Sequence, residues 1–176
     1  MKRFIVILLT LAFIVGCQAQ RTRTSVTMCG IKMGTPRNQV KSILVGRFGE
    51  DYVDDIANRI AVYNGSSGGI TYKYMTFDFV WANGALRLNG GVFQSWFDLT
   101  EWEDAFLYRD YIKSIYEKKY KLKELDVDGY TWYLFGGQNP PNGAIVVELR
   151  RNNEGEQKYY VGVAYFGPYA GLKDDI

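Results

Sequence analysis

Two long β-forming runs, Ile70 to Trp81 (Ile-Thr-Tyr-Lys-Tyr-Met-Thr-Phe-Asp-Phe-Val-Trp) and Leu86 to Phe97, flank the dipeptide Asn83-Gly84. Asn and Gly both tolerate the positive φ that a two-residue hairpin turn demands, so this stretch commits the middle of the chain to an antiparallel ladder. The apolar phase of the first run changes between Tyr74 and Met75, which predicts a bulge or a strand with aromatics on both faces. Gly90-Gly91 predicts a bend or interruption in the return strand.

Helical signals bracket this hairpin. Thr35-Pro36 reads as a helix start, with Thr35 as cap and Pro36 in the first turn. Val40, Ile43 and Leu44 follow at helical spacing, and Gly46 is expected to stop the run. A second short helix from Asp51 to Asn58, with Tyr52, Val53 and Ile56 on one side, completes an expected helix-loop-helix. Ile60 to Tyr63 reads as a short strand, and Asn64 to Gly69 and Gly136 to Gly143 read as hairpin loops. Thr100-Glu101-Trp102-Glu103 fits a capping box and opens a helix to about Lys119. Its expected buried stripe is Trp102, Ala105, Phe106, Ile112 and Tyr116, with Arg109 at the edge.

Three strands close the chain: Lys123 to Phe135 split at Asp128-Gly129, then Ala144 to Arg151, then Glu156 to Phe166. The order helix, meander, helix, meander predicts an α+β fold: an antiparallel meander sheet with helices packed on one face, arranged as a tandem helix-meander pseudo-repeat. Residues 30–176 are read as one α+β domain of two halves, about 30–98 and 99–176, after a tether and first strand at 20–29.

The N-terminus speaks to destination. Lys2 and Arg3, the apolar run Phe4 to Val15 and the small residues after it have the form of an export signal. Ile14-Val15-Gly16-Cys17 resembles the lipobox of bacterial lipoproteins, which implies cleavage after residue 16 and lipidation of Cys17. The alternative is a signal over 1–19, cut after Ala19 to release a soluble protein. The expected location is the periplasm or outer membrane as a lipoprotein, or the exterior if Ala19 is the cut site. Either event leaves Cys29 without a partner, so a disulfide framework is not expected.

Loss of Lys2 and Arg3 leaves 19 basic residues against 19 acidic ones. A chain without net charge has no field to steer nucleic acid, and none is expected as a partner. The chain contains no His, which removes Ser-His-Asp and Cys-His catalysis and the commonest metal ligand. No P-loop, dinucleotide fingerprint or zinc spacing is present, so no cofactor, metal or catalytic residue is assigned. Paired acids suited to glycoside hydrolysis remain: Asp54-Asp55, Glu101/Glu103/Asp104 and Asp126/Asp128. Each sits where acids serve capping or solvation, which makes a carboxylate-dependent hydrolase the least favoured reading.

Gly30-Ile31-Lys32-Met33-Gly34-Thr35-Pro36, followed by Val40 and Leu44, resembles the opening of small secreted bacterial proteins of the β-lactamase-inhibitor-protein and outer-membrane assembly lipoprotein fold group. That resemblance implies a helix-loop-helix followed by an antiparallel meander, once or in tandem, and a non-enzymatic binding protein. Its meander face would carry aromatics that engage another protein.

The aromatic content, 16%, supplies such rings beyond the needs of a core. Phe77, Phe79, Phe106, Trp102 and the alternating Tyr159, Val161, Val163 and Tyr165 are assigned to the interior. Tyr72, Tyr74, Tyr133 and Tyr160 are assigned to the opposite, partner-binding face. Rigid amphipathic rings exposed there suit a protein partner or, alternatively, a carbohydrate.

Overall fold

The computed structural model describes residues 26–127, 130–135, 144–152 and 157–167. The export signal with Cys17, the Asp128-Gly129 turn and the Gly136 to Gly143 loop lie outside the described residues. Twelve elements follow in order: β1 (Thr27–Met28), β2 (Ile31–Lys32), α1 (Arg37–Phe48), β3 (Val53–Ile56), β4 (Arg59–Ser67), β5 (Ile70–Ala82), β6 (Ala85–Asp98), α2 (Trp102–Glu117), β7 (Leu122–Val127), β8 (Tyr130–Phe135), β9 (Ala144–Asn152) and β10 (Lys158–Phe166). β1 and β2 pair with each other, while the other eight strands form one antiparallel sheet ordered β3-β4-β5-β6-β10-β9-β8-β7.

The central hairpin forms as its turn residues dictate, with Asn83 at φ 51° and Gly84 at φ 74°. Gly90 and Gly91 mark an irregularity: Asp78 pairs Gly90 but Phe79 pairs Leu88, so Asn89 is the extra residue. Close packing requires both glycines. A Cβ on Gly90 would lie 2.5 Å from the Tyr165 carbonyl oxygen, and one on Gly91, at φ 150°, would overlap the Thr76 carbonyl.

Several local expectations are corrected. Residues 51–58 form a 3-10 turn, Glu50–Tyr52, and then β3 instead of a helix. Val53 is buried against the core, Asp54 and Asp55 are weak helix formers, and Ala57 at φ 37° turns the chain into β4. α1 runs through Gly46 and stops at Gly49, whose φ of 91° suits glycine alone. Pro36 occupies the N-cap, and the Thr35 hydroxyl instead donates to the Lys32 carbonyl. The Asn64 to Gly69 loop shrinks to the two-residue turn Gly68-Gly69, and β4 continues through Asn64 at φ 52°.

α2 begins two residues earlier in its capping logic than expected. A 3-10 turn, Leu99–Glu101, is closed by Asp98, whose side chain accepts a backbone N–H while Glu101 Oε2 accepts the Asp98 N–H at 2.9 Å. The buried stripe accordingly comprises Ala105 and Ile112, flanked by Tyr108, Ile115 and Tyr116. Trp102 and Phe106, expected inside, are 50% and 37% exposed and pack edge to face on each other.

Val40 and Leu44 of α1 and Ala105 and Ile112 of α2 join one hydrophobic cluster with the inward residues of the sheet. Both helices therefore cover the same face. Phe93 sits at the centre, its ring 5.4, 5.3 and 4.8 Å from those of Tyr72, Phe77 and Tyr165. Phe77, Phe79, Val161, Val163 and Tyr165 are core residues as expected, and Tyr159 packs at its margin.

Candidate functional site

Strand alternation sends every second side chain away from the helices, and pairing lines those side chains up in rows. The first row is Trp96, Tyr160 and Arg150, opposite one another on β6, β10 and β9. The Trp96 and Tyr160 rings are 6.5 Å apart, Lys73 Nζ lies 5.2 Å from the Trp96 ring, and the Arg150 guanidinium lies 5.8 Å from Trp132. A second row runs Tyr63, Tyr74, Gln94, Gly162 and Glu148 across β4, β5, β6, β10 and β9. The third is small and apolar: Val92, Ala164 and Val146.

Gly162 has no side chain, so Gln94 and Glu148 face each other across it at about 10 Å, twice the strand spacing. The result is a pit of about 300 Å³ lined by Gln94, Glu148, Arg150, Arg151, Asn152, Tyr160 and Gly162. Glu148 is 5% exposed, and the Arg150 side chain, itself open to solvent, forms an ion pair with it. Burying a carboxylate is unfavourable unless a charge partner meets it, and Arg150 supplies that partner.

Of the four tyrosines assigned to this face, the structure places two there. Tyr74 and Tyr160 are half-buried on the helix-free side. Tyr72 is fully buried against Phe93 on the helix side, which corrects its assignment. The cause is an inversion of strand phase at Lys73, one level earlier than the expected break: Ile70 and Tyr72 point inward, and so do Met75 and Phe77. β4 inverts opposite it at Asn64, so the two strands keep their register. Tyr133 is also corrected, being 7% exposed beneath α2, with Lys113 Nζ and the Arg109 guanidinium 4.6 and 5.3 Å from its ring.

The candidate carboxylates do not assemble. Asp55 is paired with Arg37 and, at 2.9 Å, Lys41; Glu101 belongs to the cap of α2; Asp126 lies on the outermost strand, and Asp128 is outside the described residues. Among the described residues no group of three or more Cys, Asp or Glu side chains could hold a metal ion, and no helix is long and apolar enough to cross a membrane.

A second cavity of about 280 Å³ lies on the helix side between the β4–β5 turn and the end of α2. Cys29, Tyr116 and Tyr165 line it. Burial pushes the Cys29 thiol up, Tyr116 up to about 12, and Tyr165 well above the ordinary tyrosine range. A thiol held protonated is a poor nucleophile, so Cys29 behaves as a buried apolar residue.

Sequence reasoning missed Trp96, Trp132, Gln94, Glu148, Arg150 and Gly162. A signal did exist: Glu148 interrupts the apolar run Ala144 to Leu149, and Gly162 interrupts Tyr159 to Tyr165, on strands joined by one hairpin. No protein-family model, curated protein or solved structure matches the chain.

Proposed function

We propose that this is a non-enzymatic, exported envelope protein, anchored in the periplasm or outer membrane by a lipid on Cys17, that binds a protein partner through the helix-free face of its sheet. The observation that carries the reading is the pair of aromatic rows on that face, Trp96-Tyr160-Arg150 and Tyr63-Tyr74-Gln94. Trp, Tyr and Arg are the residues that dominate interface energetics, and here the sheet holds them rigid. The order of elements supports kinship with the β-lactamase-inhibitor-protein and outer-membrane assembly lipoprotein group. A helix precedes β3 to β6, a second precedes β7 to β10, and the last strand of each set pairs at the centre of the sheet. In this reading the two helix-meander halves are a tandem pseudo-repeat.

A photo-crosslinking residue placed at Tyr74 or Tyr160 in cells should give discrete protein adducts, and one at Tyr111, exposed on α2, should not. Equal adducts from all three positions would refute the assignment of the face. Intact mass of protein from its native membrane should show acyl chains on Cys17; an unmodified chain beginning at Gln20 would refute the anchor. A carbohydrate ligand is the second reading, and one feature favours it: the pit at Gly162.

A further inference from the structure

Gly162 is a glycine that the backbone does not require. Its φ lies outside the left-handed range, and a Cβ built on it would meet nothing nearer than the Phe93 carbonyl oxygen at 3.6 Å, Val92 Cγ1 at 3.7 Å and Gln94 Cβ at 3.8 Å. These are ordinary van der Waals contacts. The other glycines at the centre of the sheet differ, since Cβ atoms on Gly90 and Gly91 would strike backbone atoms. A glycine inside a strand is unfavourable by roughly 0.5 to 1 kcal/mol relative to Ala, and such positions mark close approach of a ligand or another backbone. On the outer side of Gly162 lies the hollow of about 300 Å³, which has room for a ligand.

The chemistry around the hollow restricts what enters. Glu148 on one wall repels an anion, whereas Arg150 and Arg151 repel a cation. Gln94 and Asn152 also line the pit, and side-chain amides both donate and accept. Tyr160, adjoining Trp96, offers an aromatic face whose negative quadrupole attracts polarised C–H groups. A neutral pyranose combines these needs, with hydroxyl groups that donate and accept around its rim and a face of C–H groups to lie on a ring. A volume near 300 Å³ is at the lower limit of small-molecule sites and matches one such ring better than a peptide segment.

We infer that the Gly162 pit is a subsite for a single neutral sugar ring of an envelope glycan, stacked on Tyr160 and hydrogen-bonded by Gln94, Glu148 and Arg150. The inference rests on the helix-free face being the binding face and adds a sugar-specific contact to it. The test titrates the full-length protein in detergent with neutral trimers of β-1,4-linked N-acetylglucosamine, α-1,4-linked glucose and β-1,4-linked mannose, read by tryptophan fluorescence and saturation-transfer NMR. At least one trimer should bind. Gly162→Val should fill the pit and weaken binding tenfold or more, ~1.4 kcal/mol, while keeping the wild-type circular dichroism spectrum. Tyr160→Ala should weaken it similarly, and Trp102→Ala on α2 should leave it unchanged.

Failure of every trimer to bind the wild-type protein, or equal binding by Gly162→Val, overturns the sugar assignment. Loss of the Tyr160 crosslink in Gly162→Val without any sugar binding also overturns it and makes the pit a protein hot spot. The crosslinks themselves report on the face, so its failure and the failure of the sugar subsite are distinguishable.

Discussion

Two glycine-to-alanine substitutions in the same sheet should move stability in opposite directions. At Gly162 the new Cβ makes only ordinary van der Waals contacts, 3.6 to 3.8 Å from its nearest neighbours, and the gain in strand propensity stabilises the fold by about 0.5 kcal/mol. At Gly91 the Cβ meets the Thr76 carbonyl and lies 2.8 Å from Met28 Cε. The backbone φ of 150° adds strain of order 1–3 kcal/mol for a non-glycine residue. Relief of the overlap requires β5 and β6 to part where Thr76 Oγ1 accepts the Val92 N–H at 3.0 Å, a bond that contributes about 1 kcal/mol. With packing losses at Met28, Gly91→Ala should destabilise by about 3 to 5 kcal/mol, a fall in Tm of roughly 6 to 20 °C. Urea unfolding followed by tryptophan fluorescence measures both variants on one baseline. Equal midpoints, or a larger loss at Gly162, would refute the argument that Gly162 serves a hollow and Gly91 the backbone.

Further expectations concern the core, its hydroxyl groups and the start of α2. Phe93→Ala removes the ring that touches Tyr72, Phe77 and Tyr165, and should cost about 4 kcal/mol in urea unfolding; a loss below about 1 kcal/mol would contradict its central placement. Burial raises Tyr116 to about 12 and also raises Tyr165 and Tyr72 well above the ordinary tyrosine value, so the folded state holds these protons more tightly than the unfolded chain. That stability is complete below pH 10, the ordinary tyrosine value, and is lost as pH rises towards 12, with Tyr116 alone contributing about 3 kcal/mol. Absorbance at about 295 nm should then show tyrosinate forming together with unfolding; independent titration of every ring near its ordinary value, with the fold intact, would contradict it. Asp98→Ala should destabilise by about 1 kcal/mol and Thr100→Ala by almost nothing, the reverse of what a cap at Thr100 implies.

The sheet was legible where local chemistry and tertiary packing agree. Asn83-Gly84, the two runs beside it, and the apolar alternation of Val161, Val163 and Tyr165 each had one favourable structure. Legibility failed where several local choices were close in energy. The segment from Asp51 to Ile56 has apolar residues that satisfy a helical face or a short strand, and pairing with Arg59 to Val62 decides for the strand. In α2 the same apolar residues define two overlapping stripes; packing of Tyr108 and Ile115 selects one and turns Trp102 and Phe106 outward. Tyr133 was ambiguous for a related reason. Both phases of Thr131 to Phe135 carry aromatics, and only the position of α2 shows which one is covered.

The site was less legible than the fold because it depends on alignment across strands far apart in sequence. Along the outward phase of β6, β10 and β9 the rows change character in step, from the aromatic and cationic Trp96-Tyr160-Arg150 through the polar Gln94-Gly162-Glu148, hollow at its middle, to the small apolar Val92-Ala164-Val146. Read along any single strand, this gradient is only a residue sequence such as Tyr-Val-Gly-Val-Ala. Read across the three, it places a polar floor between an aromatic wall and an apolar one. The inner face had to satisfy volume, which is why Phe93 and its neighbours are large and tightly opposed. The outer face carries no helix among the described residues, and its hollow sets the buried Glu148 carboxylate against the solvent-exposed Arg150 guanidinium. In the proposed reading a ligand that is part apolar face and part hydroxyl rim meets the Tyr160 ring on one side and the polar groups of Gln94, Glu148 and Arg150 on the other.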